Sequence, residues 1–85
     1  MNNYYFTFGS DEKYPYGRND YVLIQAENLQ QAIRLFQAVH PNRKDSIFVN
    51  CAFFYEEEQF NEFRERYYKD VLPVEIISVQ RRDDS

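Results

Sequence analysis

The sequence is poor in the residues on which catalysis and metal binding most often depend. Its 85 residues include one Cys, one His and no Trp, too few for a structural zinc site or an internal disulfide. The two glycines, Gly9 and Gly17, match neither of the common phosphate-binding loops. No serine lies in a nucleophile-elbow motif. We therefore expect a chain that is not an enzyme, with no catalytic residue, no metal site and no cofactor.

Long apolar runs and an excess of basic residues are also missing. No stretch approaches the roughly 18 apolar residues of a membrane span, and residues 1–8 do not resemble a secretory signal. Ten basic against fourteen acidic residues give a net charge of -4, which argues against sequence-specific binding of nucleic acid. A lone Cys is typical of a reducing compartment. We expect a cytoplasmic protein that contacts no membrane and reads no nucleic-acid sequence.

Aromatic residues are what the chain has in abundance. Eight Tyr and eight Phe stand against only four Leu, in a composition that is 44% hydrophobic and 28% charged, as in ordinary globular proteins. The length allows one domain, expected over residues 1–80, followed by a charged and disordered tail at 81–85. Because so small a domain buries a modest share of its surface, assembly into a homo-oligomer is an expected way to add burial.

Alternation and helical spacing divide the chain into strands and helices. The predicted strands are 4–8, 21–26, 47–55 and 74–79, and the predicted helices are 29–40 and a second from the acidic run 56–58 to residue 71. Asn28, with Gln31 three residues later, predicts the N-cap of the first helix. Strand 47–55 is apolar on both faces, which predicts a central position.

The order β-β-α-β-α-β predicts an α+β fold. We expect a two-layer α/β sandwich with a mixed four-stranded sheet and both helices on one face. Aromatic side chains at sheet and helix positions are expected to form the core. These residues are Tyr4, Phe6, Phe8, Phe36, Phe48, Phe53, Phe54, Phe60, Phe63 and Tyr67.

Two connections carry the side chains best suited to binding. They are the loop from Gly9 to Asp20 and the turn 40–44, where aromatic rings can stack and guanidinium groups can bind phosphate or carboxylate. The candidate binding residues are Tyr14, Tyr16, Arg18, Asn19, His40 and Arg43. A structural alternative stays open, in which Tyr14 and Tyr16 fold over the end of the sheet and Arg18 pairs with Asp20.

Other reactive or polar side chains have simpler interpretations. Cys51 and His40 formally make a catalytic pair, but Cys51 lies in the most apolar strand, where thiols are usually inert. His40 suits the negative end of a helix dipole, and the acidic run 56–58 suits the positive end. The amide of Asn50, on an otherwise apolar strand, is expected to anchor a neighbouring loop.

Four segments carry a resemblance. They are Tyr-Tyr-Phe-Thr-Phe-Gly-Ser-Asp at 4–11, Pro-Tyr-Gly-Arg at 15–18, His-Pro-Asn-Arg at 40–43 and Asn-Cys-Ala-Phe-Phe-Tyr at 50–55. Together they resemble small accessory proteins encoded by bacteriophages and prophages. The resemblance covers most of the chain and transfers no catalytic residue. It implies a host bacterial cytoplasm and a role against host defences.

Two functions follow as expectations from that resemblance and from the loop residues. The first is a non-enzymatic inhibitor that binds a bacterial defence protein, for instance as an anti-CRISPR protein. The alternative is an oligomeric sponge that sequesters a nucleotide-derived defence signal, with Arg18, Arg43 and His40 on phosphate and Tyr14 or Tyr16 stacked on a base. Convergence of Arg18, His40 and Arg43 on one cavity favours the sponge, and dispersal favours the inhibitor.

Overall fold

The described part of the chain forms the predicted succession of strands and helices. A computed structural model describes residues 1–9, 13–42 and 49–79, so the tail predicted at 81–85 lies outside the described residues. The α+β class and the order β-β-α-β-α-β are confirmed. The elements are β1 (Asn2–Thr7), β2 (Tyr21–Ala26), α1 (Leu29–Val39), β3 (Phe53–Glu56), α2 (Glu57–Tyr67) and β4 (Glu75–Ser78).

The sheet is mixed and four-stranded, as predicted, in the order β3-β1-β2-β4. Strand β1 runs antiparallel to β2 and to β3, whereas β2 runs parallel to β4. The β1 and β2 strands are therefore the inner pair, and their register sets Tyr4 opposite Ile24 and Tyr5 opposite Leu23. Residues opposite one another share a face of the sheet, so this register sorts the side chains into two sets.

The two helices cover opposite faces of the sheet, and the prediction of a two-layer sandwich with both on one face is wrong. Phe6 and Ile24 belong to a core cluster with Phe36 of α1, while Tyr5 belongs to a second cluster with Phe60 of α2. The physical reason is that the inner strands carry large apolar side chains on both faces. If both helices packed on one face, Tyr5 and its neighbours on the other face would be exposed to solvent.

Strand β3 is shorter than predicted and lies at the edge of the sheet, so the prediction of a central strand over 47–55 is wrong. Residues 47–48 lie outside the described residues, and 49–52 form an irregular segment in which the Cys51 amide donates to the Val49 carbonyl at 2.8 Å. Cys51 is buried against the α1-side core. The apolar character of 49–52 therefore serves packing of a loop, and a regular strand begins only at Phe53.

Local signals define both helices. The side chain of Asn28 accepts from the Gln31 amide at 2.8 Å, as predicted, while Gln31 Oε1 accepts from the amide of Glu27 at 2.7 Å. Helix α2 has acidic residues in its first turn and arginines in its last, the arrangement that favours a helix dipole. In the described segments neither helix has the length and apolarity that crossing a bilayer requires.

Candidate binding groove

The structure divides the predicted binding residues between the two sides of the sheet. Tyr14 and Tyr16 pack against the core cluster on the α1 side, and His40 contacts Tyr16 there. Arg18 and Asn19 instead line a groove on the α2 side. Arg43 lies outside the described residues. His40 is not among the residues that line this groove with Arg18.

The rings of Tyr14 and Tyr16 are partly buried against the core. The Phe8 ring, which is fully buried, meets Tyr16 edge-on at a centroid distance of 5.4 Å and Tyr14 at 6.5 Å. Such tilted and edge-to-face contacts are favourable geometries for aromatic pairs. Both tyrosines therefore fold over the end of the sheet, as the structural alternative describes, and their part in binding stays a prediction.

Tyr16 also belongs to a polar cluster that ties three segments together. One carboxylate oxygen, Glu75 Oε1, accepts from the Tyr16 hydroxyl at 3.3 Å and lies 2.7 Å from His40 Nε2. Burial, and then the negative charge of Glu75, raise the pKa of Tyr16 above its ordinary 10.0. We call Tyr16, His40 and Glu75 the Glu75 latch. It joins the loop after β1, the end of α1 and the start of β4.

Glu75 did not figure among the predicted site residues, although the sequence contains a signal for it. Glu75 lies two residues before the buried Ile77 in strand β4. Period-two spacing therefore places both side chains on the face that packs against α1. A carboxylate on that face needs partners. Tyr16 and His40 supply them from distant parts of the sequence.

The tip of the loop is shaped by Asp20. Its carboxylate accepts from the Gly17 amide at 2.9 Å, and its own amide donates to the Gly17 carbonyl at 3.2 Å. The expected pairing of Asp20 with Arg18 is therefore replaced by a bond to the backbone. Arg18 and Asn19 lie exposed at this tip. Within the described part of the chain no carboxylate pairs with the Arg18 guanidinium.

The groove that Arg18 lines is built from three parts of the fold. It has a volume of about 520 Å³ and opens to solvent between α2, strand β3 and the loop tip. We call it the aromatic groove. Its lining residues are Thr7, Gly9, Arg18, Asn19, Phe53, Tyr55, Phe63, Arg66, Tyr67 and Tyr68.

The rings of the aromatic groove form a connected series with an exposed end. Tyr55 meets Phe63 edge-on at 4.9 Å, and Phe63 meets Tyr67 at 6.1 Å. Phe53 lies 6.3 Å from Tyr55 on the same face. Phe53 and Tyr67 are each 61% exposed, although periodicity predicted both as core residues. Large aromatic rings exposed around a concave surface are typical of a binding site.

The charges of the aromatic groove are positive, in a chain whose net charge is -4. Arg18 and Arg66 line it, and no carboxylate is among its lining residues. The Arg66 guanidinium lies 6.0 Å from the centre of the Tyr67 ring. Guanidinium groups bind carboxylate and phosphate in planar, two-point geometry. The groove can therefore bind a ligand that joins an anionic group to a ring or an apolar side chain.

Arg64 lies between the groove residues Phe63 and Arg66 in α2 but does not line the groove, and its contacts differ from theirs. Its Nη2 donates to the Tyr21 hydroxyl at 3.3 Å, and its guanidinium lies 5.6 Å from the ring centre of Phe60. The Tyr21 hydroxyl in turn donates to the Val71 carbonyl at 2.8 Å. Arg64 thus stabilises the packing of α2 against the sheet, whereas the Arg66 side chain faces outward.

Cys51 and Asn50 keep the structural roles that the sequence indicated. Burial raises the pKa of the Cys51 thiol to about 12, so the thiolate needed for nucleophilic chemistry is suppressed at neutral pH. The Asn50 amide donates to the Pro41 carbonyl at 3.5 Å, a long contact that links two loops. Its Oδ1 is buried and has no partner among the described residues.

Comparisons with known proteins return no match: no family model, no curated protein and no solved structure is similar to this chain. In residues 1–9, 13–42 and 49–79 there is also no group of three or more His, Cys, Asp or Glu side chains placed to hold a metal ion. The functional argument therefore rests on the geometry of the aromatic groove.

Proposed function

We propose that this chain is a non-enzymatic binding protein that inhibits a bacterial defence protein, and that the aromatic groove is its contact surface. The observation that carries the proposal is the pairing of two outward-facing guanidinium groups, those of Arg18 and Arg66, with the exposed rings of Phe53 and Tyr67. Tyr and Arg are the residue types that contribute most to protein interfaces.

The chemistry of the groove describes the surface that it would bind. The rings would bury an apolar or aromatic side chain of the partner, and the guanidinium groups would bind carboxylates beside it. An acidic segment carrying a large apolar residue has both features. The net charge of -4 on this chain would repel such a segment elsewhere, so the groove gives it a preferred orientation.

The biological target comes from the resemblance to phage and prophage accessory proteins. Such proteins work in the cytoplasm of the infected bacterium and act there on the host's defence machinery. A CRISPR effector complex is the target that we propose to test first. The dispersal of Arg18 and His40 supports a protein partner over a small ligand held by both.

Phage plating on bacteria that carry a defined CRISPR system tests this function. Cells that express the chain should allow a targeted phage to form plaques, and the double variant Arg18→Ala, Arg66→Ala should restore immunity. Arg34→Ala is the matched control, because Arg34 is an exposed arginine on α1 that does not line the groove. Protein levels of each variant are compared by immunoblot.

Two results would overturn the proposal. The chain could fail to protect phage against each of a panel of CRISPR types and other defence systems. Alternatively, it could protect equally well with both groove arginines removed, which would place the inhibitory surface elsewhere. Binding of the purified effector, measured with and without the two substitutions, then shows whether protection follows from direct contact.

A nucleotide sponge is the second candidate, because the groove brings a guanidinium and stacking surfaces together. Arg18 and Arg66 would hold phosphate, and Phe53 or Tyr67 would stack on a base. Of the described residues expected in this role, Arg18 alone lines the groove, whereas Tyr14 and Tyr16 pack against Phe8 and His40 contacts Glu75. Calorimetry against cyclic and ADP-ribose-derived nucleotides decides it, and absence of heat with every member would exclude it.

A further inference from the structure

The hydroxyl of Tyr68 differs from those of the other buried tyrosines. In the described part of the chain Tyr4, Tyr5, Tyr21 and Tyr68 are buried. The hydroxyls of Tyr4 and Tyr5 lie 3.5 Å from a side-chain amide and a carboxylate, respectively, and that of Tyr21 donates to a backbone carbonyl at 2.8 Å. The Tyr68 hydroxyl has no hydrogen-bond partner among the described residues. A polar group on so buried a side chain normally has one.

The ring of Tyr68 is enclosed, but its hydroxyl is accessible. Tyr68 as a whole is 8% exposed, and its ring lies 5.3 Å from the rings of both Tyr21 and Phe60. Among the described residues, Asn50 Oδ1 is the one fully buried side-chain polar atom without a partner. The unpaired Tyr68 hydroxyl must therefore reach the surface, and the cavity that Tyr68 lines is the aromatic groove.

The surroundings of this hydroxyl keep it protonated. Burial is the main cause that raises the pKa of Tyr68 above its ordinary 10.0, followed by the nearby phenol of Tyr55 and the carboxylate of Asp20. At neutral pH the group is therefore a hydrogen-bond donor. Tyr55 lines the same groove, whereas the Asp20 carboxylate does not line it and accepts from the Gly17 amide. The donor thus lies close to the loop tip that carries Arg18.

We propose that the Tyr68 hydroxyl donates a hydrogen bond to an anionic oxygen of the ligand in the aromatic groove. The inference deepens the proposed function and rests on it in one respect, that the groove is the contact surface. Arg18 and Arg66 line the groove and no carboxylate does, so an anionic group is the ligand chemistry that suits all three donors. A carboxylate or a phosphate would supply the acceptor that the fold does not provide for Tyr68.

This donor also makes the groove selective. An apolar ligand that filled the groove would cover the Tyr68 hydroxyl and leave it without water or any other acceptor, which is unfavourable. A ligand that places an anionic oxygen there avoids that loss. Tyr68 therefore favours an acidic group beside the apolar one, even though its own ring is packed in the core.

Tyr68→Phe removes the hydroxyl and keeps the ring. Because the hydroxyl bonds no described residue, the variant should unfold at the wild-type temperature. Its affinity for a short peptide of alternating Glu and Phe, measured by calorimetry, should nevertheless fall about tenfold, since a hydrogen bond to a charged group is lost. Tyr4→Phe is the matched control, because Tyr4 is equally buried but does not line the groove, and its affinity should equal that of the wild type.

Carbon-13 labels at the Cζ atoms of tyrosine read the contact in the wild-type chain. The Tyr68 signal should shift saturably with the acidic peptide if the anionic oxygen comes from a carboxylate, and with inorganic phosphate if it comes from a phosphate group. A shift with either probe supports the proposal and identifies the source. Absence of a shift with both probes up to millimolar concentration would overturn it, as would equal affinity of the wild type and Tyr68→Phe for the peptide.

Failure of this inference and failure of the proposed function can be told apart. Phage plating measures inhibition, whereas the Cζ signal measures one contact of one hydroxyl. A chain that protects phage with an unshifted Tyr68 signal would retain the function without this contact. A chain that shows the shift but protects no phage would retain the contact without the function.

Discussion

The two sides of the sheet use aromatic residues in opposite ways. On the α1 side the rings of Phe8 and Phe36 are fully buried, and the loop above them is closed by the Glu75 latch. On the α2 side Phe60 is fully buried, stacked on Tyr5 at 4.2 Å, but the rings farther along α2 reach the surface. One side is therefore a packed core, and the other has a core with a groove beside it.

The difference teaches that an aromatic surplus does not identify a site until the partners of each ring are known. Tyr14 and Tyr16, which the sequence marked as candidate binding residues, pack against the buried Phe8 ring. Conversely, Phe53 and Tyr67 fit strand and helix periodicity and are nevertheless 61% exposed. The side chains best placed to bind lie where the sequence pattern predicted core.

Truncating one ring on each side of the sheet should give the largest difference in the free energy of unfolding. Phe36→Ala removes a fully buried ring from the α1-side core and should lower the free energy of unfolding by about 3–5 kcal/mol. Tyr67→Ala removes a mostly exposed ring and should change it by about 0.5 kcal/mol or less. Urea unfolding measures both. Equal losses of unfolding free energy in the two variants would contradict the difference between the two sides.

The Glu75 latch should contribute less to the free energy of unfolding than the buried ring of Phe36 does. Glu75→Ala leaves the Tyr16 hydroxyl and the His40 ring without their shared acceptor, and should cost about 1–2 kcal/mol in the free energy of unfolding. Glu75→Gln keeps an acceptor and should cost less. Partner binding through the aromatic groove should be unchanged in both variants. A loss of binding without a loss of stability would instead place function on the α1 side.

Alkaline pH should destabilise the fold through buried acidic groups on both sides. Burial raises the pKa of Tyr5 and Tyr68 on the α2 side and of Tyr16 on the α1 side, and it raises that of Cys51 from 9.0 to about 12. As pH rises, the unfolded chain releases these protons first, so deprotonation favours unfolding. Stability should be constant with respect to these groups below about pH 9 and fall progressively above it.

Urea titrations at a series of pH values measure this decline. Cys51→Ala should flatten the earliest part of it, since Cys has the lowest ordinary pKa of the four groups. A wild-type profile that stays level through the alkaline range would show that the four groups titrate equally in the folded and unfolded chains.

The smallest expected effect concerns the groove arginines. Arg18→Ala and Arg66→Ala remove exposed side chains that pair with no carboxylate in the described part of the chain, so each should change the free energy of unfolding by about 0.5 kcal/mol or less. Arg64→Ala should cost more, because Arg64 bonds the buried Tyr21 hydroxyl. Thermal unfolding of the three variants checks the order. It also shows whether any loss of inhibition comes from the surface or from unfolding.

Much of the fold could be predicted because local patterns determine it. Alternation identified the inner strands, and Asn28 marked the start of α1. The same alternation showed apolar residues on both faces of the first two strands, from which one helix on each face could have been predicted. The strand prediction over 47–55 is wrong because small residues such as Cys51 and Ala52 fit the alternation of a strand. Their packing in a loop depends on long-range contacts.

The candidate site was harder to predict, because its members come from distant segments. Arg18 and Asn19 belong to the predicted set, but the other arginine of the groove, Arg66, does not. Nothing local to Arg18 indicates that Tyr55 and Tyr67 will face it. Only the antiparallel pairing of β3 with β1, together with α2 on that face, brings these residues to one groove.

The most direct test of the difference between the two sides is an amide-resolved NMR titration of the labelled chain with a short peptide of alternating Glu and Phe. The matched control is the same peptide with Lys in place of Glu. We expect saturable shift changes at residues 18–19, 53–55 and 63–68 with the acidic peptide alone, and their loss in the Arg18→Ala, Arg66→Ala variant. Shift changes centred on Tyr16, His40 and Glu75, or equal responses to both peptides, would contradict the assignment of binding to the aromatic groove.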